Sequence, residues 1–142
     1  MKISNRDLLS AADTLDRAAA LIVEKGWGRG AFALNELGEE VDPNNDDACN
    51  FCAVGAITHI AKLKMEPARE PEGSYGPVNN FTCDLLGRYL GVMGIDNGLT
   101  EWNDGEDRSQ ADVVGAMADC AAFLRTKWSG LSWWQRVFGT VN

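Results

Sequence analysis

The stretch Cys52-Ala53-Val54-Gly55-Ala56-Ile57 constrains the fold more than any other part of the chain. Four of its six side chains are no larger than a thiol-bearing methylene. A helix with so little side-chain bulk can bring its backbone close to a neighbouring backbone, because helix separation depends on the side chains at the contact. Apolar recurrence at Phe51, Val54, Ile57 and Ala61 predicts a helix from about Asp47 to Lys64. Asn45 or Asp46 is the expected cap, with acids favoured at the positive end. Such a helix belongs at the centre of the fold.

The other apolar patterns are also helical. A first helix is predicted from about Arg6 to Lys25, with Ser4 and Asp7 at capping-box spacing. Its stripe is Leu8, Leu9, Ala12, Leu15, Ala19 and Ile22, and Gly26 suits a left-handed cap at its end. A third helix is expected from about Asn80 to Leu90, with Phe81, Leu85, Leu86 and Tyr89 facing inward. A fourth starts at Ser109, which has Asp112 three positions on. Its stripe runs through Val113, Val114, Met117, Cys120, Ala121 and Leu124. A short last helix is predicted from Ser132 to Phe138, capped by Ser132 with Gln135. Phe32 and Leu34 alternate with small residues before a turn-rich Asn35–Glu40, which suggests a small β-hairpin. Pro67, Pro71, Gly73, Gly76 and Pro77 predict a loop over 66–78, and glycines predict another over 94–107. The expected architecture is mainly α: one compact domain over 1–142, with four to five helices and room for one small β-hairpin. Residues 129–142 form an aromatic C-terminal segment.

Charge narrows the functional classes. Thirteen basic residues against 21 acidic ones leave a net charge of −8. Direct nucleic-acid binding is disfavoured, because it requires cations that displace phosphate counterions. No apolar run approaches the roughly 18 residues of a membrane span. Met1–Asp7 is polar and lacks the apolar core of a signal peptide, so a cytoplasmic location is expected. Cys49, Cys52, Cys83 and Cys120 are then thiols rather than disulfides. The acids cluster: Glu36, Glu39, Glu40, Asp42, Asp46 and Asp47 form one stretch, and Asp96, Glu101, Asp104, Glu106 and Asp107 a second. After Asp119 only bases remain, at Arg125, Lys127 and Arg136. Such stretches are either solvated loops or a face that meets a basic partner.

Few residues suggest catalysis. Cys49-Asn50-Phe51-Cys52 sits at the start of a predicted helix, where backbone amides favour a thiolate, but nearby acids oppose it. His59, the sole histidine, lies seven residues beyond Cys52, roughly 10 Å along a helix, too far for a direct nucleophile–base pair. No paired ligand set for a metal and no nucleotide-binding glycine loop is present, so no metal or cofactor is expected. Trp102-Asn103-Asp104 sits in an acidic loop. It either forms a capping turn with a buried tryptophan or, with Arg108, makes a polar pocket. Trp128, Trp133, Trp134 and Phe138 are expected to lock the last helix onto the core, or else to mark an oligomer surface.

Together these motifs resemble those of an uncharacterised family of small proteins from bacteria, many actinobacterial, and from their phages. The resemblance rests on Leu21-Ile22-x-x-x-Gly26-Trp27, on Cys52-Ala53-Val54-Gly55-Ala56-Ile57, and on Trp102-Asn103-Asp104 with Arg108 and Val113. It covers roughly residues 15–121. Family members usually carry tryptophan where this chain has Phe51. The resemblance implies that Cys52, rather than Cys49, and the Trp102–Asp104 turn are the characteristic positions. Two such motifs need a shared reason, and we expect the turn to pack on the N-terminal end of the Cys52 helix.

Three functional expectations follow. The first is a phage or prophage accessory protein that binds a host protein with a basic surface through Glu36, Glu39, Glu40 and Asp42. The second is a small-molecule pocket formed by Trp27, Cys52, Trp102, Asn103, Asp104 and Arg108. The third is a cysteine-dependent hydrolase or transferase with Cys52 as nucleophile and His59 as a distant base. A homo-oligomer through Trp133, Trp134 and Phe138 is a further expectation.

Overall fold

The computed structural model describes residues 3–66, 80–92, 94 and 97–141. Most of the predicted 66–78 loop, and Asp96 of the second acidic stretch, lie outside them. Among the described residues there are six α-helices and one two-stranded antiparallel sheet.

A single 3₁₀ turn, Asn5–Asp7, leads into α1, Leu8–Lys25. Ser4 caps the turn by accepting from the Arg6 amide, without the reciprocal Asp7 bond expected of a capping box. The α1 stripe is buried as predicted, apart from Leu9, which faces solvent. Helix α1 is the hub of the fold and packs against α2, α3 and α5. Helix α3 is Phe81–Leu90, with Asn80 accepting from the Thr82 amide and Gly91 closing it in the left-handed region. Helix α5 is Gln110–Ser129 and α6 is Trp133–Phe138. Both begin with the expected reciprocal capping boxes, Ser109 with Asp112 and Ser132 with Gln135. Among the described residues no helix is long and apolar enough to cross a membrane.

Four expectations need correction. First, α2 runs over Ala53–Leu63, six residues shorter at its start than predicted. Asn45 and Asp46 do not cap it; Cys52 does, its sulfur accepting from the Gly55 amide at 3.3 Å. The missing turn is strand β2, Asn50–Phe51, which pairs antiparallel with β1, Ala33–Leu34. Phe51 is therefore buried from a strand, not from a helix stripe. The local hairpin is reduced to a bridge between Leu34 and Glu40. Second, the predicted 94–107 loop contains α4, Gly98–Asn103. Third, Gly26 ends α1 at φ 129° and ψ 158°, outside the left-handed helical region. Its freedom from a side chain serves contact, because a Cβ there would overlap the Asn50 side chain. Fourth, several aromatic side chains stay in water. Tyr89 is 41% exposed, and Trp133, Trp134 and Phe138 are exposed as a cluster packed on itself, Trp134 stacked on Phe138 and Trp133 edge-on to both, rather than locked onto the core.

The small-residue helix is as close-packed as its sequence requires. Every residue from Phe51 to Ile57 is buried. Its close neighbour is not a helix but the segment leading into β1. The Phe32 carbonyl accepts from the Cys52 amide at 3.1 Å, and a Cβ at position 55 would overlap that same oxygen. We predict that Gly55→Ala destabilises the protein by about 3 kcal/mol, since overpacking against backbone cannot relax by rotamer change. Thermal unfolding should show a fall in Tm of roughly 10 °C; an unchanged Tm would show that the 32–33 backbone yields freely.

Candidate functional site

The characteristic motifs meet at one place, the N-terminal end of α2. Helix α4 delivers Asn103 there from its last turn, with no exposed surface. The first amide of a helix has no acceptor within the helix itself. Here the Ala53 amide donates to Asn103 Oδ1 at 2.9 Å. The same oxygen accepts from the Trp27 indole N–H at 2.8 Å. Asn103 Nδ2 donates to the Gly28 carbonyl at 3.1 Å and to Asp104 Oδ1 at 3.0 Å. A primary amide has two acceptor sites and two donors, so every one of them is used internally.

A second layer closes over this knot. Asp104 Oδ1 also accepts from the Gly30 amide at 3.2 Å. The Arg29 guanidinium donates to the carbonyls of Glu106 and Arg108, and lies 5.0 Å from the centre of the Trp27 ring. Arg108 does not pair with Asp104. Its Nε donates to the Trp102 carbonyl at 2.8 Å, and its guanidinium lies 4.2 Å over the Trp102 ring. The packing of the Trp102–Asp104 turn on the start of α2 therefore matches the expectation. The mode differs: Asn103 caps a helix 50 residues away, not the helix that follows it. Sequence reasoning passed over Gly28, Arg29 and Gly30, because their contributions are a backbone carbonyl, a long reach and a backbone amide.

The thiols are quiet. Cys52 is 2% exposed. Burial pushes its thiol up to about 11, against the amides of Gly55 and Val54, which favour the thiolate. Burial likewise raises Cys83, and takes Cys120 to about 12. Cys49 is half-buried and not bonded to another cysteine. His59 is held elsewhere: its Nδ1–H donates to the Pro43 carbonyl at 2.8 Å, and its ring lies 5.4 Å from that of Phe51. It braces the 43–51 connection against α2.

The predicted acidic residues share a separate surface. Glu36, Glu39, Glu40 and Asp42 are all exposed on the segment between β1 and β2. Its backbone is held by side chains: Asn35 Oδ1 accepts from the amides of Leu37 and Glu39, Asp42 from that of Asn44, and Asn45 from that of Asp47. A cleft of about 370 Å³ lies beside it, lined by Lys25, Glu36, Asp46, Asp47 and Cys49 among others.

A family model covers residues 7–123. The chain belongs to DUF6197, a family of unknown function. The match takes in Trp27, α2 and Asn103, and stops inside α5. No curated protein and no solved structure matches the chain. The knot at Asn103 ties together three stretches of this chain that lie far apart in sequence, around Trp27, Ala53 and Asn103.

Asn103→Ala should cost about 3 kcal/mol in urea unfolding, because it strands two buried donors and one acceptor. Asp104→Ala, which frees a surface-side amide, should cost about 1 kcal/mol. Equal effects would show that Asn103 is not the centre of the network. A second expectation concerns the thiols. Raised folded-state values mean that their contribution to stability is complete below the ordinary thiol value of 9.0 and is lost as pH rises through about 11. Urea midpoints should be flat from pH 7 to 9 and fall above it. At pH 7 a disulfide reagent should label Cys49 first, and Cys52 only on unfolding.

Proposed function

We propose that this DUF6197 chain is an interaction protein, a small accessory factor of the phage or prophage kind that docks on a basic host protein in the cytoplasm. One observation carries the reading. The segment between β1 and β2 is held in shape by its own Asn35, Asp42 and Asn45 bonds, while the carboxylates of Glu36, Glu40, Asp46 and Asp47 have no partner among the described residues. At the tip of that segment Leu37 is 82% exposed. An apolar residue ringed by charge, on a pre-ordered backbone, is the arrangement of an interface centre with a polar rim. The acids would speed and select encounter with a basic surface.

The two other readings have less support. A ligand pocket of Trp27, Cys52, Trp102, Asn103, Asp104 and Arg108 would compete with bonds already made: Trp27 and Asp104 to Asn103, Arg108 to the Trp102 carbonyl, and Cys52 to the Gly55 amide. A hydrolase or transferase based on Cys52 would need a thiolate that burial opposes, and His59 is turned toward Pro43.

The test is capture from host lysate on immobilised full-length chain at low and moderate salt, beside a variant with Glu36→Gln, Glu39→Gln, Glu40→Gln and Asp42→Asn. The expected result is a basic protein retained at low salt, weakened roughly tenfold in the variant and by Leu37→Ala. Retention of the same protein by the charge variant overturns the acidic-face reading.

A further inference from the structure

On the opposite chemical pattern, α3 and α5 enclose a second cleft of about 390 Å³. Leu85, Arg88 and Tyr89 are spaced i, i+3 and i+4 on α3, so they share one helical face. On α5, Lys127 stands four residues after Phe123 and three after Leu124, so it neighbours both, and all three line the cleft. Val141 closes one end. It is held there by its amide, which donates to the Ile3 carbonyl at 2.7 Å, next to a Ser4–Thr140 bridge. The walls are apolar and aromatic: the rings of Tyr89 and Phe123 lie 5.4 Å apart and are 41% and 50% exposed.

The lining contains two cations and no acid. In a chain of net charge −8, a cleft with that sign is a local exception. Arg88 and Lys127 form no ion pair with any described residue. The Tyr89 hydroxyl is a further donor on the same side of α3 as Arg88. Donors without a partner among the described residues, beside an apolar trough, fit a ligand with a long apolar body and one anionic head.

We propose that this cleft binds a medium- to long-chain carboxylate, its chain along Leu85, Phe123 and Val141 and its head on Arg88 and Lys127. The volume lies in the lower part of the range of small-molecule sites, about 300–1,000 Å³. Seven lining residues are far fewer than the roughly 20–30 a side of a standard protein interface. A carboxylate can take two parallel bonds from the Arg88 fork, and Lys127 adds a point charge. Leu124, Lys127 and Val141 lie beyond the part of the chain that the family model covers. The site is thus completed by the C-terminal segment. It shares no residue with the acidic face and stands or falls independently of that reading.

The experiment is calorimetric titration of the full chain with sodium decanoate, with acetate and decan-1-ol as comparators. One saturable site for decanoate is expected, with no binding of acetate and weaker binding of decanol. The paired Arg88→Gln and Lys127→Gln variant keeps the apolar walls and should weaken decanoate roughly fivefold, the scale of exposed charge interactions. Phe123→Ser should weaken decanoate and decanol alike. Amide shift mapping with decanoate should move signals of α3, α5 and Val141. Unsaturable uptake, equal affinity for decanol and decanoate, or shifts confined to the Trp133–Phe138 cluster would overturn the proposal. Loss of a captured protein in the Arg88→Gln, Lys127→Gln variant, without saturable decanoate binding to the unaltered chain, would overturn the proposal and assign the cleft to a protein partner.

Discussion

The fold hangs on one side-chain amide. A helix that begins in a protein interior exposes amides that need acceptors, and water is not there to supply them. At the start of α2 the Cys52 sulfur takes one and Asn103 takes another. By accepting from Trp27 as well, and by donating to Gly28 and Asp104, Asn103 ties the end of α1, the start of α2 and the end of α4 into one polar knot. Any other common residue would leave some of these groups buried and unpaired. The same knot explains why α4, only six residues long, is ordered: a helix that short is held by its contacts, not by its own propagation.

Polar groups saturated in this way make poor ligands for anything else. The residues that a motif search finds first, Cys52, Trp102, Asn103 and Asp104, are spent on architecture. The chemistry left over lies at the periphery and is divided by sign. The β1–β2 segment carries acids around an exposed leucine, while the α3–α5 cleft carries cations around exposed aromatics.

Much of the helical framework was legible. The stripes of α1, α3 and α5 and the capping boxes at Ser109 and Ser132 are properties of spacing within a few residues, and they appear where the sequence implies. The meeting of the Trp102–Asp104 turn with the Cys52 helix was inferred because two unusual motifs called for one cause. The early part of α2 was misread because Phe51 fits a helical stripe. In the folded chain Asn50 and Phe51 instead satisfy their backbone by pairing with Ala33 and Leu34, and Phe51 is buried from there. Helix α4 was missed because Gly94, Gly98 and Gly105 read as breakers, although Gly98 is small for a reason of contact with Val92.

What the sequence determined alone was whatever depends on neighbours along the chain: helical periodicity, capping pairs, the small-residue helix and the segregation of charge. Tertiary structure decided which faces found partners. Leu9 and Tyr89 continue apolar stripes yet stay in water, and the Trp133–Phe138 cluster packs on itself, because burial needs an opposing surface that no local pattern encodes. It also decided that Asn103 caps a helix 50 residues distant. A hydrogen-bond donor left over at a helix start is visible in sequence, but the acceptor that reaches it is chosen by how the helices pack.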